Sequence, residues 1–181
     1  MAGRLRGLIT RLASGGLPEG FAGKLAAEEN VLAVAAVRGG GHLVATSHGL
    51  WLPEGSTTRH VGWHLVSKAT WGSGALAVVE AEQTGTAGEA VLLTDQPTRR
   101  FVLDEPGKVP QVVHARVTGS IKSSHRRDFP GGGAWFVQRK IVGRDWVVLQ
   151  VRADRGTDLE AVRRVAAEVA ERISVARPKQ P

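Results

Sequence analysis

Cysteine is absent from the 181 residues, which removes disulfides, thiol nucleophiles, iron–sulfur clusters and thiolate zinc sites together. Long apolar runs are missing as well. The longest, VLAVAAV from Val31 to Val37, falls far short of the ~20 residues that cross a bilayer. The N-terminus has neither the apolar h-region nor the small-residue cleavage site of a secretory signal. These absences predict a cytoplasmic protein, with peripheral contact at the inner membrane face as the alternative. No nucleophile, base and acid come together in the pattern, so neither an enzyme nor a cofactor is expected. What is present suffices for folding: a hydrophobic fraction of 42% in 19.2 kDa fits one domain of ordinary size with extensions.

Negative charge is the scarcer sign, and the deficit is local. The formal charge is +7. Between Lys108 and Arg144 the cations are Lys108, Arg116, Lys122, Arg126, Arg127, Arg139, Lys140 and Arg144, against Asp128 alone, a surplus equal to that of the whole chain. Lys122, Arg126, Arg127, Arg139 and Lys140 are therefore the candidate anion- or partner-binding residues. Arginine outnumbers lysine, and Ala, Gly and Val are abundant, so coding bias supplies part of the basicity.

Periodicity divides the chain into four parts. Residues 1–30 read as a helical extension: Leu5, Leu8, Ile9 and Leu12 stand at helical spacing among Arg4, Arg6 and Arg11, and EGFAGKLAAEEN is a second, weaker helical piece. The first docks on the domain, frays, or lies on a membrane surface. Residues 31–122 carry about seven short strands (VLAVAAV, HLVATS, LWLP, Val61 to Trp71, ALAVVEA, AVLLT and RRFVL) and then an amphipathic helix from Val109 to about Lys122, with Pro110 in its first turn. Residues 123–175 form a basic loop SSHRRDFPGGG, a hairpin of AWFVQRKIV and WVVLQVRA around Gly143-Arg144-Asp145, and a long helix. Its capping box is Thr157 to Glu160, and its stripe is Leu159, Val162, Ala166, Val169 and Ile173. Residues 176–181 read as a disordered tail. The class is α+β: a seven-stranded antiparallel barrel capped by a helix, plus a hairpin and a long helix.

Several residues invite chemistry that their setting does not support. His60 and His64, if on one strand, stand about 13 Å apart, too far to share a metal, and read as exposed histidines. Ser123, Ser124 and His125 have only Asp128 nearby as an orienting acid, which does not make a triad. The triplets Gly39-Gly40-Gly41 and Gly131-Gly132-Gly133 match neither the P-loop nor the dinucleotide fingerprint and read as turns. Trp63 and Trp71 share the apolar parity of the segment from Val61 to Trp71 and are assigned to the core, not to base stacking.

The stretch LVATSHGLWLP followed by HVGWHLVSKATWGSGALAVVEA resembles the bacterial pleckstrin-homology (PH) and GRAM-related pattern: a hairpin, a Trp-containing strand, and a Trp just before the turn into the next strand. The resemblance covers Val31 to Lys122 and implies a PH-like barrel. The chain as a whole is similar to a group of proteins of high-GC Gram-positive bacteria in which VTGSIKSSH, PGGGAWFVQRK and GTDLEAV accompany the barrel. The first hairpin loop, VRGGGHLV, holds only Arg38 and His42, so the family's phosphoinositide mode is not expected. The resemblance implies a non-enzymatic binding or scaffold module with a protein partner. The alternative is binding of nucleic acid or an anionic membrane surface through residues 108–144.

Overall fold

Alternating apolar residues separated by glycine turns produce eight strands before the first helix: β1 (Val31–Ala36), β2 (His42–Thr46), β3 (Gly49–Glu54), β4 (Thr57–Gly62), β5 (Val66–Gly72), β6 (Ala75–Ala87), β7 (Ala90–Asp95) and β8 (Arg99–Val102). The computed structural model describes residues 16–177. The predicted basic helix around Leu5 to Leu12 and residues 178–181 of the tail lie outside them. β1 to β4 form an antiparallel meander. The remaining strands join a seven-stranded mixed sheet, in the order β5-β6-β7 and onward, with β8 paired to β6. The long strand β6 serves two neighbours on one side. Ala75 to Val78 pair with β8, and Ala81 to Ala87 pair with β7.

Two sets of contacts tie the sheets together. Arg38 donates its backbone N–H to the Val102 carbonyl, and its guanidinium meets the Asp104 carboxylate. On the other side the Arg59 guanidinium forks onto Glu80, at 2.8 and 2.9 Å. Helix α1 (Val109–Ser120) then lays Val109, Val113 and Val117 on a core that contains Leu43, Leu50, Leu52, Trp63, Val66, Leu76, Val78 and Phe101. Pro110 is tolerated in the first turn because the N–H groups there lack intrahelical partners.

The segment from Val61 to Trp71 is not one strand. A 3-10 turn at Trp63–Leu65 and a register shift between Val66 and Lys68 interrupt it, and a single parity cannot run through both. Trp63 is 3% exposed and donates its indole N–H to the Thr46 carbonyl at 3.0 Å. Trp71 is 41% exposed, so its assignment to the core is corrected. EGFAGKLAAEEN is not helical either. Glu29 takes the Ala26 N–H at 2.8 Å, and Gly23 lies where a Cβ would strike the Trp51 ring at 2.7 Å.

The last part of the chain departs most from expectation. α1 ends at Ser120, and SSHRRDF, predicted as loop, continues as strand β9 (Ile121–Phe129). β9 pairs antiparallel with β10 (Gly132–Lys140), which pairs with β11 (Val147–Ala153). Exposed on most of its length, β9 lacks the apolar alternation by which strands are recognised; pairing with β10 supplies its backbone partners instead. Gly131 makes the turn at φ +82°, and a Cβ there would stand 2.2 Å from the Gly156 carbonyl oxygen. β11 meets β7 in parallel, Gln150 opposite Val91 and Val151 opposite Leu92. The predicted purely antiparallel seven-stranded sheet is thereby corrected to a mixed one.

Helix α2 (Leu159–Val175) covers the far face of these strands, with Val162, Ala166 and Ala170 on Ala134, Phe136, Leu149 and Val151. Leu159, placed by periodicity in the stripe, is exposed. The cap is Asp158, not Thr157. Asp158 accepts the N–H groups of Glu160 and Ala161, while the Thr157 hydroxyl turns inward to the Gly133 carbonyl. Among the described residues no helix is long and apolar enough to cross a membrane.

Candidate functional site

The five predicted binding residues, Lys122, Arg126, Arg127, Arg139 and Lys140, fall within one basic stretch of the sequence, but strand geometry disperses them. Arg126 and Arg127 are adjacent on β9 and alternate to opposite faces. Arg126 reaches the Asp154 carboxylate and lies 5.9 Å from the Trp135 ring, whereas Arg127 lies 5.9 Å from the Phe129 ring. Lys122 stands in a groove with Trp146, Ile173 and Arg177, by the end of α2. Lys140, the last residue of β10, borders a different cleft with His64, Arg116 and Arg144.

Arg139 faces inward and is 1% exposed, so it is removed from the binding face. Its Nε donates to Ser120 Oγ (3.0 Å), one terminal nitrogen to the carbonyls of His64 (3.3 Å) and Val66 (2.9 Å), and the other to the Val117 carbonyl (3.2 Å) and Ser120 Oγ (2.7 Å). The guanidinium's five donors thus meet the end of α1 and the start of β5. No carboxylate lies among these partners. Burial and the nearby Arg152 push its pKa down to about 10, so it stays charged at neutral pH and acts as a fastener between hairpin and barrel.

What the strand does assemble is an open edge. β9 is the terminal strand of the sheet, with Lys122, Ser124, His125, Arg126, Arg127 and Asp128 all exposed. Trp135, next to it on β10, is 41% exposed. The same alternation puts Ser123 and His125 on one face of β9 and Ser124 on the other. The local composition carried a signal for this edge, since a polar, basic strand suits a position with no neighbour on one side.

A second set of polar groups lies where the 26–30 segment meets β2, β3 and β4. The Glu29 side chain is 2% exposed and accepts from Thr46 Oγ (2.6 Å), the Ala26 N–H (2.8 Å) and the Trp51 indole (3.0 Å), with His60 Nε2 at 3.7 Å. Burial pushes its pKa up, but these hydrogen bonds and His60 outweigh that and hold it below 4.5. The 3-10 turn brings His60 and His64 to one cleft with His48 and Glu28, so the extended-strand spacing does not describe them. Both are held below 6.5: His60 by burial and by His48, against the pull of Glu29, and His64 by burial and by Arg139, Arg144 and His60. Among the described residues no three metal-ligating side chains converge.

All three depressed groups bind fewer protons in the folded than in the unfolded state, so their contribution to stability is present above the unfolded values and is lost as pH falls through the folded ones. Urea midpoints are expected to drop first below about pH 6.5, from His60 and His64, and again below about 4.5, from Glu29. Glu29→Gln should reduce the second phase, to which Asp104 and Asp154 beside Arg38 and Arg126 also contribute, and leave the first. An unchanged acid limb in that variant would place the network outside the folding equilibrium.

Comparison with protein-family models, with curated proteins and with solved structures returns no match.

Proposed function

We propose that the protein is a non-enzymatic, PH-like binding module whose β9 edge accepts an extended, acidic segment of a protein partner. Support for the PH-like reading comes from the plan of the first part: a four-stranded meander, then β5, β6 and a strand broken into β7 and β8, then α1 on the open core. That plan accompanies the sequence resemblance between Val31 and Lys122. The observation that carries the binding mode is the nine-residue edge strand β9, which exposes Lys122, Arg126 and Arg127 and holds one acid, Asp128, with Arg126 paired to Asp154.

An unpaired edge offers backbone donors and acceptors to an added strand, and the side chains beside it choose which strand is admitted. Net positive charge on β9 repels a second copy of itself, which guards against self-association, while attracting glutamate- or aspartate-rich segments. Trp135 offers a rigid aromatic contact beside that edge. A peptide of alternating Glu and Val is therefore expected to protect β9 amides from hydrogen exchange, and one of alternating Lys and Val is not. Equal binding of both peptides, or protection elsewhere in the sheet, counts against the proposal. Preference for a single-stranded oligonucleotide over the Glu-Val peptide would favour a polyanion surface instead.

A further inference from the structure

The cleft beside Lys140 has a volume of about 500 Å³ and is separate from the edge strand. Its polar lining comes from separate elements: the neutral His64 from the 3-10 turn, and the cations Arg116 from α1, Lys140 from the end of β10 and Arg144 from the loop before β11. Tertiary structure, not a basic run, brings them together. No acidic residue lines this cleft. Among the described residues Arg116, Lys140 and Arg144 have no carboxylate within ion-pair distance, whereas Arg38, Arg99, Arg126 and Arg152 each have one and Arg59 has two.

The floor is the end of α1, where unpaired helix carbonyls ordinarily repel an anion. Here that polarity is offset. Arg139 donates to the Val117 carbonyl and to Ser120 Oγ from beneath, and it brings a positive charge that no carboxylate partners. Ser47 Oγ accepts the Asn30 N–H at 2.9 Å, which leaves its own hydroxyl proton to donate at the cleft wall.

We propose that this cleft binds a phosphoryl group bearing two or more negative charges, a phosphomonoester or diphosphate, with Arg116, Lys140 and Arg144 as its charged ligands and Ser47 as a neutral donor. Three cations without acids match that charge, and charge-assisted hydrogen bonds to phosphate oxygens are the strong class. The volume suits a small molecule or a headgroup and not a duplex. His64 reports occupancy: Arg139, Arg144 and His60 push it toward the neutral form, Arg116 and Lys140 share its cleft, and His48 and Glu28 face it from the adjoining one. A bound anion raises its pKa.

The test uses the full chain and inorganic pyrophosphate, followed by NMR of the His64 ring. Saturable binding with an upward shift of the His64 titration is expected. The triple variant Arg116→Gln, Lys140→Gln, Arg144→Gln should lose about tenfold or more in affinity. A control with the same charge change at exposed cations outside both the cleft and β9, Arg100→Gln, Arg155→Gln, Arg164→Gln, should retain it. Equal losses in the two triples, or no saturation in the wild type, would overturn the proposal. Phosphatidylcholine vesicles with and without phosphatidic acid distinguish the source. Retention that pyrophosphate reverses and only the cleft triple abolishes assigns a lipid headgroup. Pyrophosphate binding without retention assigns a soluble phosphate.

Discussion

Replacing Arg139 by Met is expected to lower folding stability by about 3 kcal/mol or more, read as a shift of the urea midpoint at unchanged slope. Two effects oppose each other. Removing a buried cation with no carboxylate partner relieves a standing desolvation cost, and buried charges have been replaced by apolar residues with gain in other proteins. At this position, however, the acceptors include main-chain carbonyls of His64, Val66 and Val117, which no substitution can remove. Each acceptor left buried without a donor costs about 1–3 kcal/mol. Gln150 Nε2 also donates to the His64 carbonyl at 2.8 Å and Ser120 Oγ to the Val117 carbonyl at 2.7 Å, so those two keep a partner, while Val66 loses its side-chain donor. Arg139→Lys should fall between wild type and Met, because one ammonium cannot reproduce the planar fork. A loss below about 1 kcal/mol for Arg139→Met would mean that water reaches these carbonyls.

Trp63→Ala should cost about 3–5 kcal/mol and Trp71→Ala no more than about 1 kcal/mol, although Trp63 just precedes β5 and Trp71 lies within it. Trp63 is enclosed by the barrel core and its indole N–H is bonded to the Thr46 carbonyl, so truncation opens a cavity and frees a buried acceptor. Trp71 is 41% exposed, near the end of β5. Comparison of acrylamide quenching in the two variants checks the assignment independently: loss of Trp71 should remove accessible emission, and loss of Trp63 protected emission. Comparable destabilisation by the two substitutions would sink the contrast.

Most strands before α1 were legible because they bury one face and turn at glycine, as at Gly39 to Gly41 and Gly72 to Gly74, whereas the 3-10 turn that divides Val61 to Trp71 was not. α1 and α2 were legible for the related reason that Val109, Val113 and Val117, and Val162 and Ala166, recur at the helical period. β9 was not. Its residues are polar on both faces because one side of the strand has no neighbour, and Ile121 falls where a further helical turn would place it. Arg139, 19 residues later, donates to Ser120 Oγ at that boundary.

The candidate surface shows the same division. Charge surplus between Lys108 and Arg144, and the amino-acid types that supply it, belong to the sequence by itself, because ionisation at neutral pH is a local property of each side chain. Which of those cations meets solvent does not. Strand alternation separates Arg126 from Arg127, the packing of β10 on the barrel turns Arg139 inward, and chain crossings bring Lys140 to Arg116, Arg144 and His64. Convergence in space depends on long-range pairing, above all the parallel contact of β11 with β7. Such pairing is selected by the burial of two whole sheet faces, and no local pattern records it.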